Sequence, residues 1–167
     1  MGGSLTIDSR EGAGTTVYVS LPFHIPSVTD SSGEGDRAEM RHGLPRDLTV
    51  LVVEDDSTTR FYLRKVMEKL GPHVEIAENG QEALAMLKKN HLDCILMDIQ
   101  MPVLDGVETT KRIRAMEGDI KDIPIIAMTA YAMSGDREKF LAVGMSDYIA
   151  KPVDHEDLML VLKRNLS

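Results

Sequence analysis

Between Leu48 and Ser167 short apolar runs alternate with amphipathic stretches five times over, and this alternation restricts the available folds more than any other feature. Leu48-Thr49-Val50-Leu51-Val52-Val53 reads as a continuous apolar strand ended by Glu54-Asp55-Asp56. Ser57 to Leu70 then spaces Phe61, Leu63, Val66, Met67 and Leu70 as a helix does, with Gly71 as its stop. Val74 to Ala77 reads as a half-buried strand. Asn79 has the chemistry of an N-cap for a helix through Lys89 that carries Ala83, Leu84 and Leu87. Cys94 to Met97 is a second continuous apolar run, ending at Asp98, and Asp105 can cap a helix through Met116. Pro124 to Met128 ends at Thr129, and a weaker helical pattern from Ser134 to Val143 stops at Gly144. Tyr148-Ile149-Ala150 is followed by Lys151-Pro152 and a last helix with Leu158, Val161 and Leu162. Strands without alternation are buried on both faces, so the pattern predicts a parallel sheet covered by helices on each side. No internal repeat is present.

The first 47 residues differ. Residues 4 to 21 alternate, Leu5 and Ile7 before the turn-rich stretch Asp8 to Gly14 and Val17, Val19 and Leu21 after it, which predicts a β-hairpin. Two strands alone are marginal in water, so such a hairpin calls for a larger sheet or another chain. His24 to Asp47 is rich in Pro, Ser, Gly and mixed charge with little periodicity, and reads as a linker spanning about 25–30 Å as a flexible coil. The organisation expected is a hairpin over 1–23, a linker over 24–47 and an α/β domain over 48–167.

Several classes of function fall away. A net charge of −8 disfavours nucleic acid as a direct partner. No apolar run of membrane-spanning length occurs, and the N-terminus has no basic segment ahead of an apolar one, so neither membrane contact nor a signal peptide is expected. The single cysteine, Cys94, excludes an internal disulfide and suits a reducing cytoplasm; set in Cys94-Ile95-Leu96-Met97, it reads as a core thiol rather than a nucleophile. His24, His42, His73, His91 and His155 read as exposed polar residues at loops and element ends.

Open α/β sheets carry their functional groups outside the carboxyl ends of the strands. The first of these strands ends in Glu54-Asp55, the third in Asp98, the fourth in Thr129 and the fifth in Lys151. Three carboxylates, a hydroxyl and an ammonium would therefore converge on one edge. Close carboxylates repel one another unless a cation neutralises them. Mg²⁺, an oxygen-seeking ion that joins carboxylates to phosphoryl groups, suits the set, with Mn²⁺ as the alternative. A carboxylate can act as a nucleophile toward phosphorus, and phosphoryl transfer asks mainly for positioning and positive charge. Lys151 can supply charge and Thr129 a hydrogen bond to a phosphoryl oxygen. An acid after a strand also commonly caps the following helix, a role that suits Asp56 or Ser57.

Taken together, these motifs resemble the response-regulator receiver domain of two-component signalling over residues 48 to 167. Glu54-Asp55 resembles its acidic metal-binding pair. Met97-Asp98-Ile99-Gln100-Met101-Pro102 with Asp105-Gly106 resembles its phosphoacceptor segment, Met128-Thr129-Ala130 its switch-threonine strand end, Tyr148 its switch aromatic, and Lys151-Pro152 its lysine with a cis-proline bond. The resemblance implies a flavodoxin-like (βα)5 fold with strand order 2-1-3-4-5, preceded here by the hairpin. It implies Asp98 as nucleophile, and Glu54, Asp55, Asp98 and the backbone carbonyl of Gln100 as metal ligands. Thr129 and Tyr148 would switch together and repack the surface of the fourth helix, fifth strand and fifth helix, a shift between two pre-existing states. Gln100 and Tyr131, two residues beyond Asp98 and Thr129, would tune acyl-phosphate hydrolysis. The implied donor is a phosphohistidine of a histidine kinase or a histidine phosphotransfer protein.

A second resemblance covers the first 23 residues. Met1-Gly2-Gly3-Ser4-Leu5, Asp8-Ser9, Gly12-Ala13-Gly14-Thr15-Thr16-Val17 and Leu21-Pro22 resemble the closing hairpin of a histidine-kinase ATPase domain. The chain would then be the C-terminal piece of a hybrid histidine kinase, with Met1 an internal residue of the parent and no kinase activity of its own. Unpaired hairpin edges, or the face of the fourth helix, fifth strand and fifth helix, would support a homodimer. Two rival readings share the topology. A receiver-like interaction module without phosphate turnover is opposed by the intact acid set with Lys151. A flavin-binding flavodoxin is opposed by acids, rather than hydroxyls and glycine amides, after the first strand.

Overall fold

The computed structural model describes residues 4–10, 14–20, 44–130 and 136–166. The chain divides into two compact units, within Met1–Ala38 and Glu39–Ser167.

The smaller unit holds β1 (Ser4–Arg10) and β2 (Gly14–Ser20), paired antiparallel with Ile7 opposite Val17 and Thr6 opposite Tyr18. The hairpin is present as expected, but its strands run into the stretch read as turn, up to Arg10 and from Gly14. The backbone pairing of Asp8 with Thr16 and Ser9 with Thr15 outweighs the poor strand preference of Asp and Ser. Ile7, Val17 and Tyr18 are exposed.

The larger unit alternates β3 (Thr49–Val53), α1 (Ser57–Leu70), β4 (His73–Ala77), α2 (Gly80–Leu87), β5 (Cys94–Asp98), α3 (Gly106–Arg114), β6 (Ile125–Thr129), α4 (Asp136–Val143), β7 (Asp147–Ala150) and α5 (His155–Asn165). Its five strands form one parallel sheet in the order β4-β3-β5-β6-β7, the doubly wound flavodoxin-like arrangement. Successive residues of one strand serve opposite faces. Val50, Val52, Cys94, Leu96, Ile126 and Met128 face Leu63, Met67, Leu158 and Leu162, from α1 and α5. Leu51, Val53, Ile95, Met97, Ile125 and Ala127 face Ala83, Leu87, Ile113 and Phe140, from α2, α3 and α4. Cys94 sits in the first of these layers, and burial pushes its thiol up to about 12, as a core thiol requires.

The helix caps follow the local chemistry. Asp56, Asn79, Asp105 and Asp154 accept hydrogen bonds from first-turn amides of α1, α2, α3 and α5. Gly71 ends α1 at φ 117° and donates its N–H to the Met67 carbonyl. The ends differ modestly from the periodicity: α2 stops at Leu87 and α3 at Arg114, and a short 3₁₀ turn, Asp119–Asp122, occupies the connection to β6. Ser134, read as the start of α4, lies outside the described residues.

Residues 44 to 47, read as the end of the linker, meet the larger unit. Leu44 is only 5% exposed within the α1–α5 layer and donates its N–H to the Leu70 carbonyl at 2.8 Å. One isolated leucine carries no periodicity, so this packing has no sequence signature. The rest of the expected linker up to residue 43 lies outside the described residues.

Candidate functional site

Four strand ends meet at one edge of the sheet. Glu54 directly follows β3 and its N–H is held by the Ala77 carbonyl of β4 at 3.1 Å. Asp98 closes β5 and Thr129 closes β6, while Lys151 follows β7 with its N–H donated to the Thr129 carbonyl at 2.7 Å. The parallel register, which sets Val53 beside Met97, Asp98 beside Met128 and Thr129 beside Ala150, brings the ends of four strands distant in sequence into one cluster.

Carboxylate oxygens of Glu54, Asp55 and Asp98 all lie within 4.8 Å of one another. Glu54 and Asp98 are buried, at 1% and 4% exposure, and Asp55 is open to solvent. The Lys151 ammonium lies between the buried pair, 2.7 Å from Glu54 Oε2 and 2.8 Å from Asp98 Oδ2. The second oxygen of each carboxylate takes a backbone amide: Asp56 N–H donates to Glu54 Oε1 at 3.3 Å and Gln100 N–H to Asp98 Oδ1 at 3.2 Å. The Lys151–Pro152 bond is cis.

The electrostatics leave this cluster short of positive charge. Burial pushes the Glu54 carboxyl above its ordinary value; the hydrogen bond from Lys151 opposes this and the neighbouring Asp98 charge adds to it. Burial alone would depress the Lys151 ammonium, but the hydrogen bonds to Asp98 and Glu54 outweigh it and the net shift is upward. Three carboxylates against one ammonium leave two negative charges uncompensated, and every donor is oxygen. The residues present therefore fit a hard divalent cation.

Gly106 allows α3 to start directly against the end of β5. A Cβ there would stand 2.1 Å from the Asp98 carbonyl oxygen, and the Gly106 N–H donates to the Ile99 carbonyl at 3.1 Å. Thr129 is 5% exposed beside this edge. Tyr148, half-buried, packs against the α2–α3–α4 layer and pairs in register with Ala127. Gln100 contributes its amide to Asp98, and Tyr131 lies outside the described residues. Two surface depressions, of about 350 and 480 Å³, lie elsewhere: one beside Tyr148, Leu160 and Arg164, the other at the opposite sheet edge near Asp93 and Pro124. Neither contains a member of the acid cluster.

The sequence reading overlooked Arg60. Its guanidinium Nη1 donates to the main-chain carbonyls of Glu54 at 2.9 Å and Asp55 at 2.6 Å, and Nη2 pairs with Glu78 at 2.8 Å. An arginine one turn into a helix that follows an acidic pair is the available signal, but it resembles any solvated helical charge.

The model of the response regulator receiver domain matches residues 50–163. Sensor protein EvgS of Escherichia coli strain K12 is 34% identical over 167 residues, covering 100% of this chain and 13% of that protein. The chain spans 4–20% of the length of the curated relatives compared, which are hybrid histidine kinases and sensor proteins. The receiver domain of sensor histidine kinase PA1611 from Pseudomonas aeruginosa PAO1, solved with magnesium in its active-site cleft, superposes with TM-score 0.66 at 39% identity, covering 71% of this chain and 97% of that one. The receiver domain of the response regulator Ssk1, in its complex with the histidine phosphotransfer protein Ypd1 of Saccharomyces cerevisiae, superposes with TM-score 0.66 at 32% identity, covering 72% and 90%. Among the described residues no helix is long and apolar enough to cross a membrane. The family match over most of the chain, the 2-1-3-4-5 parallel sheet and the acids gathered at its carboxyl edge agree, and the chain belongs to the response regulator receiver domains of two-component phosphorelay signalling.

Proposed function

We propose that Asp98 accepts a phosphoryl group from a phosphohistidine. A carboxylate oxygen of Asp98 forms the new O–P bond while the P–N bond to the donor imidazole breaks, and the departing imidazole takes up a proton. The acyl phosphate then passes its phosphoryl group to a second histidine or loses it to water. The observation that carries this reading is the Lys151 ammonium set 2.8 Å from Asp98 and 2.7 Å from Glu54, with Asp55 in the same cluster. That ammonium can follow the charge that develops on the phosphoryl oxygens.

Glu54, Asp55, Asp98 and the Gln100 carbonyl would hold Mg²⁺, or Mn²⁺ in its place. The bound ion supplies counter-charge to both carboxylates and phosphoryl oxygens. Magnesium in the PA1611 receiver supports this assignment. Thr129 would hydrogen-bond the transferred group, and its movement with Tyr148 would repack the α4–β7–α5 surface. Gln100 and Tyr131 would tune the lifetime of the acyl phosphate.

We place the domain at the C-terminal side of a cytoplasmic hybrid kinase segment, taking phosphoryl from a histidine kinase or phosphotransfer protein. EvgS aligns over the whole chain, hairpin included, and the Ssk1 receiver is known bound to a phosphotransfer protein. The test is intact-mass measurement after incubation with acetyl phosphate. A phosphoryl adduct that requires Mg²⁺ and disappears in Asp98→Asn is expected; an adduct of equal yield in Asp98→Asn would overturn the assignment.

A further inference from the structure

We propose that Arg60 is a positioning residue for the divalent cation, acting through the backbone of the acidic loop rather than by touching the ion. The inference rests on the metal reading above. The peptide unit joining Asp55 to Asp56 is held at both ends: its carbonyl oxygen accepts from Arg60 Nη1 at 2.6 Å, and its N–H donates to Glu54 Oε1 at 3.3 Å. Arg60 Nη1 also takes the preceding carbonyl, that of Glu54, at 2.9 Å. With two successive carbonyls turned toward one guanidinium, the intervening Asp55 has its backbone orientation set. The Glu54 carboxylate is then fixed from three sides, by the Asp56 amide, by Lys151 and by its own tethered peptide.

The chemistry needs an arginine. A planar fork can serve two carbonyls and a carboxylate at once, whereas a lysine ammonium is a point charge on a flexible stem. A bare cation next to a metal site would repel the ion, but Glu78 pairs with Nη2 at 2.8 Å and offsets part of that charge. Arg60 is itself anchored one turn into α1, its N–H donated to the carbonyl of the cap residue Asp56 at 3.0 Å. Its side chain is 16% exposed and that of Glu78 is 62% exposed, so the guanidinium lies against the loop while its carboxylate partner faces solvent. Groups that orient first-sphere ligands commonly change metal affinity by about 10–100-fold when removed.

The test titrates Mg²⁺ calorimetrically into the wild type, Arg60→Ala, Arg60→Lys and Glu78→Gln, with thermal unfolding of each in the absence of metal. Arg60→Ala and Arg60→Lys should each weaken Mg²⁺ binding about tenfold, with folding retained and with wild-type acetyl phosphate labelling restored at saturating Mg²⁺. Wild-type affinity in Arg60→Ala, or full rescue by Arg60→Lys, would overturn the proposal. Should Arg60→Ala fail to fold, Glu78→Gln decides: a measurable loss of affinity supports the clamp and an unchanged affinity overturns it. A wild-type protein that binds no Mg²⁺ would instead overturn the metal reading itself and this inference with it.

Discussion

The ammonium of Lys151 rests 2.8 Å from Oδ2 of Asp98, although the two lie 53 positions apart with two helix–strand units between them. The same nitrogen meets Glu54 at 2.7 Å, so a single cation holds two buried carboxylates apart from one another's charge. This contact ties the ends of three strands of the sheet together through one ammonium.

Replacing Lys151 by Met should expose that coupling. It removes the ammonium but keeps the length of the stem, leaving Glu54 and Asp98 buried with their backbone hydrogen bonds but without a counter-charge. A loss of roughly 2–3 kcal/mol is expected from breaking a mostly buried ion pair. Added Mg²⁺ should recover part of it, because a divalent ion supplies the missing charge. Urea unfolding with and without Mg²⁺ measures both quantities; an equal deficit at all Mg²⁺ concentrations would contradict the shared neutralisation of this site.

A methyl group at Gly106 should be far more damaging than one at Gly118. Its Cβ would stand 2.1 Å from the Asp98 carbonyl oxygen, and neither that backbone atom nor the start of α3 can yield without the other. Gly106→Ala is expected to cost about 2–3 kcal/mol as an overpacked contact. Gly118, at φ 77° with nothing within 4 Å of a Cβ, should cost about 1 kcal/mol from its backbone conformation alone. Denaturation midpoints of the two alanine variants decide, and equal losses would argue against close approach of α3 to β5.

Asp147 should contribute to acid lability. Burial alone would raise its carboxyl, but hydrogen bonds from the Tyr148 amide, Arg164 and Asn165 outweigh that and hold it below the ordinary 3.8. The unfolded chain therefore takes up this proton first as the pH falls. The stabilisation is complete above 3.8 and disappears as the pH drops through the lower folded value. Asp147→Asn should be less stable than wild type at about pH 6, with the gap closing toward about pH 2. A gap independent of pH would show that the ionised form is not what stabilises this corner.

Alternation of apolar runs and helical spacing suffices for the parallel α/β architecture, because strands buried on both faces and helices buried on one leave different periodicities. It also suffices for the residues at the strand ends, since a continuous apolar run has an unmistakable carboxyl limit: Val53 before Glu54, Met97 before Asp98, Met128 before Thr129. The caps Asp56, Asn79 and Asp105 are likewise local and readable. Three features belong to the folded molecule alone. Leu44 joins the core through a contact with Leu70 that no periodic pattern announces. The two carbonyls gripped by Arg60 are backbone atoms, and every residue has one, so composition and spacing do not mark them. The meeting of Lys151 with Glu54 and Asp98 depends on the register of β3, β5, β6 and β7. Local chemistry can name these charges, but only packing of distant segments sets the distances between them, and electrostatic energy depends on those distances.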